Sequence, residues 1–291
     1  MGRNAILFAL VWGILGFGNA VANNSQIPRP PYETIEHDLI NLSEQYPQDV
    51  ERIVYGTSNN GRNLTMLRIG RLTYPSMGAR QAVYISGSTH GNEYLNIEDR
   101  LPRYFMENSG ELPSFRTFIQ NGGIVYIVPI LNPDGFTRGH RRNANRIDLN
   151  RDFPLQHKNH EGFAEVETRT LIEHLNADLQ RSNARLVFTL DYHCCAKALV
   201  RPWSFSGESL PQEAIAAHQQ VGALMKNIFK GYGFGDTVEM MHEARVGTSK
   251  DYFYETYGSL SFTFEGQVRV ENQNLPEHVA LWEQIFAHLL R

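Results

Sequence analysis

Eight consecutive positions, Ile124-Val-Tyr-Ile-Val-Pro-Ile-Leu131, carry no charged or amide side chain. A strand with one wet face alternates apolar and polar residues. A run without that alternation needs cover on both faces, as in a parallel or mixed sheet sandwiched between helices. Three more apolar stretches have strand length: Ala82 to Ser86, Leu186 to Leu190 and Ser259 to Phe264. Helical spacing lies between and around them. It is carried by Ile35, Leu39, Leu42 and Tyr46 before Pro47, and by Val166, Leu171, Ile172 and Leu175 within about 164–179. Further helices are expected from Pro211 toward Lys230, stopped by Gly231-Tyr-Gly233, and from Pro276 to the C-terminal end, proline being favoured in a first turn. Gly56-Thr-Ser-Asn-Asn-Gly61 separates two extended segments, Arg52 to Tyr55 and Leu64 to Ile69, and reads as a hairpin. The expected fold is α/β: a single domain with a mixed, mostly parallel twisted sheet flanked by helices.

The N-terminal end reads differently. Arg3, the apolar run Ala5 to Phe17 and the small-x-small pattern Ala20-Val-Ala22 have the form of a secretory signal peptide. The expected organisation is therefore a signal peptide over 1–22 and one domain over 23–291. The product would be exported to periplasm or extracellular space, without stable membrane association after cleavage. A formal net charge of −4 excludes a chain-wide basic footprint for nucleic acid. The only cysteines are neighbours, Cys194 and Cys195. A bridge between adjacent residues is strained, so they read as a small buried apolar pair, the alternative being a free pair touching a metal beside His193.

Four polar features fall just past the C-terminal ends of predicted strands: His90, Asn132 to Gly135, His193 and Glu265. In open α/β sheets that edge is where ligands bind. Within Ser86-Gly-Ser-Thr-His90-Gly-Asn-Glu93, an imidazole and a carboxylate three residues apart can turn toward one point. A catalytic zinc takes three protein ligands and keeps one position for water, and His193 is the best candidate for the third. In Ser261-Phe-Thr-Phe-Glu265, alternation puts both phenylalanines on one face and Glu265 on the other. A partly desolvated carboxylate there is suited to take a proton from water and pass it to a leaving amine; an ordinary solvated glutamate fits that segment equally well. The segment Arg138 to Arg151 holds five arginines. It lacks interleaved aromatics for nucleic acid, and Phe153 stands where a calcium loop needs glycine. Recognition of a small anion suits it better, since arginine grips a carboxylate with two parallel hydrogen bonds. Gly-Ser-Thr-His-Gly is not a serine-hydrolase elbow, because its middle residue is Thr89.

Taken together, the ordered motifs resemble the zinc metallocarboxypeptidase family from about Tyr32 to the last helix. They are His90-Gly-Asn-Glu93, Asn132-Pro-Asp-Gly135, Arg141 to Pro154, Asp191-Tyr-His193, Pro202-Trp203, Gly247 to Asp251 and Ser261 to Glu265. The resemblance implies one Zn²⁺ per chain, held by His90, Glu93 and His193, with Glu265 as general base. It implies that Arg141 stabilises the oxyanion, that Asn150 and Arg151 hold the substrate's terminal carboxylate, and that Asp148 orients His90. The implied substrate is a peptide with a free C-terminal carboxylate.

The chain also departs from that family. A mobile tyrosine often stands eight residues before the position of Asp251, and here Glu243 does. The stretch after the signal peptide is too short for an activation domain, so no inhibitory pro-region is expected. Lys250 occupies the position at the base of the pocket for the terminal side chain. A desolvated ammonium left unpaired costs roughly 3–5 kcal/mol, so the expectation is a preference for C-terminal Glu or Asp, helped by Arg245. Rival readings are a carboxypeptidase or amidase acting on cell-wall peptides with a diaminopimelate-type residue, an N-acyl amino acid deacylase, and a non-catalytic peptide-binding module.

Overall fold

The computed structural model describes residues 29–75, 78–267 and 274–291, and the expected signal peptide lies outside them. In chain order, α1 (Tyr32–Gln45) leads into the hairpin β1 (Val50–Thr57) and β2 (Asn63–Ile69). Then come β3 (Arg80–Gly87), α2 (Leu101–Glu107), α3 (Pro113–Gln120), β4 (Ile124–Val128) and α4 (Pro133–Arg138). They are followed by α5 (Val166–Arg181), β5 (Ala184–Cys194), β6 (Ala198–Arg201), α6 (Gln212–Ile228) and β7 (Gly233–Asp236). The chain closes with α7 (Thr237–Met241), α8 (Ser249–Tyr257), β8 (Leu260–Gly266) and α9 (Leu275–Leu289).

The strands form one sheet in the order β1-β2-β4-β3-β5-β8-β6-β7. Its middle, β4-β3-β5-β8, is parallel throughout. Antiparallel pairs join β1 to β2, β2 to β4 and β6 to β8, and β6 runs parallel to β7. The sheet is thus mixed, with its parallel part at the centre.

All five residues of β4 are buried, as its unbroken apolar character requires. Val125 and Ile127 belong to the apolar layer that holds the buried faces of α1, α2, α3, α6 and α9, whereas Ile124, Tyr126 and Val128 belong to the layer that holds those of α5 and α8. The two-residue period thus divides the strand between two apolar layers. Each fully buried Leu, Ile or Phe side chain contributes about 1.5–3 kcal/mol relative to exposure, so both layers are needed to hold the sheet.

Three features differ from expectation. The apolar run to Leu131 is strand only as far as Val128, because Pro129 cannot donate a ladder hydrogen bond; Asn132 then caps α4, its side chain accepting from the Gly135 N–H at 2.8 Å. β5 and β8 run past their apolar portions, because the ladder continues through Gly87↔Tyr192 and Cys194↔Gly266. His193 and Glu265 therefore sit inside the strand ends, as partners in register. Finally, Cys194 and Cys195 are joined by a disulfide with an S–S distance of 2.06 Å, and Cys195 is exposed. The buried apolar pair is corrected: both sulfurs are spent on each other at the rim of β5.

Candidate active site

Parallel pairing brings the C-terminal ends of β3, β4, β5 and β8 to one edge. Past β3, Ser88 adopts φ +49 and turns the chain into Thr89 and His90. The Asn132-Pro-Asp-Gly135 segment braces that turn. Leu131 N–H donates to Gly87 O at 3.0 Å, Asn132 N–H to Ser88 O at 3.2 Å, and Gly91 N–H to Arg141 O at 3.3 Å. The Asn132 amide reaches Thr89 O at 3.4 Å and Arg141 O at 3.2 Å. One buried amide thus ties the His90 turn to the arginine loop. A Cβ on Gly91 would lie 2.1 Å from Gly135 C, so only glycine permits so close an approach.

His90, Glu93 and His193 are all buried, and one ligand atom from each lies within 4.8 Å of the others. His90 Nδ1 is 2.8 Å from Glu93 Oε2, His193 Nδ1 is 2.9 Å from the same oxygen, and the two Nδ1 atoms are 3.0 Å apart. Three lone pairs aimed at one spot repel one another unless positive charge sits among them. The two imidazoles and one carboxylate match the donor set of a catalytic zinc site.

The far ring nitrogens are also committed. His90 Nε2 lies 2.9 Å from Asp148 Oδ1, and His193 Nε2 lies 2.8 Å from Asp191 Oδ2. Such carboxylates fix the tautomer and aim of a metal-binding imidazole. Asp148 also caps the turn at Leu149–Arg151, accepting from Asn150 N–H at 3.0 Å. Asp191 accepts from Ser86 Oγ at 2.9 Å, Thr89 Oγ1 at 3.0 Å and Ser249 Oγ at 2.9 Å. Sequence reasoning gave Asp191 no role of its own, although its two-residue offset from His193 in a strand puts both on one face.

Glu265 is 5% exposed, and its buried Oε2 has no hydrogen-bond partner among the described residues. Burial pushes its carboxyl above the usual range; His193 and His90 pull it down, and Glu93 pushes it up. A buried acceptor left without a donor is costly, so the arrangement suits a group that awaits a proton from a bound water. Alternation in β8 places it as expected, with Phe262 and Phe264 in the opposite layer.

Arg141 is held against the cage. Its NH1 is 2.9 Å from Glu93 Oε1 and its NH2 is 3.0 Å from Asp148 Oδ2, with the side chain 38% exposed. Asn150 is buried; its side-chain Oδ1 accepts from Ser249 N–H at 2.9 Å, and its side-chain nitrogen lies 3.4 Å from His193 Nε2. The guanidinium of Arg151 donates to Asn150 O at 2.5 Å. Burial lowers its pKa, Asp148 raises it, and Arg245 and Arg141 lower it further. Arg245 lies in the segment between α7 and α8, bonded to Glu243.

Lys250 requires a correction. It is 2% exposed, and its ammonium meets Asp251 Oδ1 at 3.2 Å and the Ser204 hydroxyl. The charge is already balanced inside the chain, so the cost of an unpaired ammonium no longer argues for a substrate carboxylate there.

A family model described as zinc carboxypeptidase matches residues 35–281. Bovine carboxypeptidase A1 is 24% identical over 80% of this chain and 62% of its own length. An inactive metallocarboxypeptidase of Ajellomyces capsulatus is 21% identical over 75% of this chain and 44% of its own. The chain therefore spans 44% to 62% of the length of these relatives. Among solved structures, bovine thrombin-activatable fibrinolysis inhibitor in complex with tick carboxypeptidase inhibitor superposes with TM-score 0.72, covering 89% of this chain and 96% of that one at 19% identity. A metallo-carboxypeptidase from Burkholderia cenocepacia gives 0.70, covering 89% and 69% at 18% identity. One matched relative is thus named inactive, so membership of the family does not by itself assign activity to this chain.

Proposed function

The chain belongs to the zinc carboxypeptidase family, and from that premise we propose that it is an exported exopeptidase that hydrolyses the C-terminal peptide bond of its substrate. The observation that carries this reading is the convergence of His90, Glu93 and His193 on one spot, with a buried oxygen of Glu265, unpartnered among the described residues, at the same sheet edge. Zinc bound there supplies Lewis acidity toward a carbonyl and lowers the pKa of water. Arg151, supported by Asn150, receives the terminal carboxylate, which restricts cleavage to chain ends. Arg141, half in the cleft, donates to the carbonyl oxygen as negative charge develops on it. Glu265 takes the proton of the attacking water at its free oxygen and returns it to the departing nitrogen.

A preference for acidic C-terminal residues rests on Arg245, whose partner Glu243 stands in solvent, since Lys250 and its partner Asp251 are both buried. Residues 1–22 act as the export signal, and the mature N-terminus is expected at Asn23. The test of the activity is turnover of blocked dipeptides, cell-wall peptides and N-acyl amino acids, each with and without chelator, alongside zinc content. Hydrolysis of ordinary blocked dipeptides abolished by chelation supports the reading. Turnover confined to one of the other two substrate classes would replace the substrate, and zinc-loaded protein inert toward all three would make the chain a binding module.

A further inference from the structure

Glu243 and Arg245 form an unequal pair. The Arg245 side chain is 22% exposed and that of Glu243 64% exposed. Both Nε, at 3.1 Å, and NH2, at 2.6 Å, donate to a single Glu243 oxygen. The backbone beneath Arg245 is fixed: its N–H donates to Ser204 O at 2.5 Å, and Ser204 is the hydroxyl that meets Lys250. Gly247, at φ +82, seats the far end of the segment against Arg151, where a Cβ would come within 2.5 Å of Arg151 O. The near end leaves α7 through His242 in the left-handed region. The Arg245 guanidinium thus has a carboxylate partner that stands in solvent, and its charge is felt at Glu265 and Arg151, both of which it pulls down in pKa. Arg245, then Arg151 and Arg141, hold the Glu243 carboxyl below its usual range, so this one anion faces the same arginines assigned above to substrate.

We propose that Glu243 is a gating residue acting through Arg245: a self-carboxylate that occupies this guanidinium until a carboxylate of the incoming peptide displaces it. The inference rests on the reading of Arg245 as a substrate contact. Exposed ion pairs are weak, so the internal carboxylate is readily exchanged, and its effect is a tax on substrate affinity of about two- to fivefold. The displacing group is either the terminal carboxylate or an acidic terminal side chain, the shared chemistry being a free carboxylate.

The test uses Glu243→Gln, which keeps shape and removes charge, with Glu243→Ala as a second variant. KM is measured for blocked dipeptides ending in Leu and in Glu, and binding of N-benzoylglycine is measured by calorimetry. The expected result is a two- to fivefold fall in KM with tighter N-benzoylglycine binding, most marked at low salt. An equal fall for both peptides identifies the terminal carboxylate as the displacing group, and a fall for the Glu-ended peptide alone identifies the side chain. A merely structural Glu243 would act in the opposite direction, because losing it frees Arg245 to move and raises KM. Unchanged or raised KM together with unchanged N-benzoylglycine binding in both variants overturns the proposal. Absence of hydrolysis in the unsubstituted protein would instead overturn the peptidase reading, and the calorimetric arm remains readable in that case.

Discussion

Gly91→Ala is a steric test of how the site is assembled. The glycine lies between the candidate ligands His90 and Glu93, and its φ is outside the positive range, so alanine brings no backbone strain. Its methyl group would sit 2.1 Å from Gly135 C and 2.2 Å from Phe136 N. Ordinary contact begins at 3.4 Å, so two backbone segments must part by about 1 Å. Overpacking of this kind costs about 1–3 kcal/mol, read as a lower urea midpoint. The larger effect is on chemistry, because a shift of about 1 Å is half the length of a metal–ligand bond of about 2 Å, and such a misplacement can cost about 10²-fold in rate. Urea unfolding, retained zinc after dialysis and turnover of a blocked dipeptide should all be compared with Gly110→Ala, whose methyl group meets nothing within 4 Å. If Gly91→Ala keeps kcat/KM and zinc content within twofold of the unsubstituted protein, then the Gly91–Gly135 contact does not position the cage.

Glu265→Gln should retain zinc while kcat/KM falls by about 10²–10⁴, the usual contribution of a general base; loss of the metal in parallel would give Glu265 a different role. Asp148→Ala should weaken zinc affinity by about 10–100-fold, measured by competition with a chelating dye, since the acceptor that aims His90 is gone; unchanged affinity would contradict that role. Glu98 is wholly buried, its Oε1 unpartnered among the described residues, and burial, with Asp99 adding and backbone donors opposing, pushes its carboxyl from 4.5 up to about 8. The folded protein therefore keeps a proton that the unfolded chain releases. The stability linked to it is complete below pH 4.5 and is lost as pH rises toward about 8, at up to about 1.4 kcal/mol per pH unit. Urea midpoints of Glu98→Gln should flatten across that window, and curves parallel to the unsubstituted protein would contradict the assignment.

The sheet was legible because unbroken apolar runs report burial directly, and β4 is divided between two apolar layers as that reading required. The site was legible because functional groups gather where parallel strands end, so His90, His193 and Glu265 converge although a hundred or more residues separate some of them. The short elements were not legible. β7, Gly233–Asp236, looks like turn chemistry, and α8 begins inside a polar motif. Their conformation is imposed by neighbours, β6 along β7 and the sheet under Tyr252 and Phe253. Charge balance was equally hidden. Lys250 is adjacent to Asp251 in sequence, yet only the fold places Ser204 against the same ammonium. Pairing of Cys194 with Cys195 likewise depends on a local geometry that spacing alone argues against.

The central claim is that three side chains brought together from β5 and the turn after β3 hold one divalent ion. Anomalous diffraction from crystals of the protein, collected on either side of the zinc absorption edge, tests it directly. A single peak about 2.0–2.2 Å from His90 Nδ1, His193 Nδ1 and a Glu93 carboxylate oxygen, absent in His193→Ala, is the predicted result. A catalytically active crystal with no peak at that position, or with zinc bound elsewhere on the chain, would contradict the account.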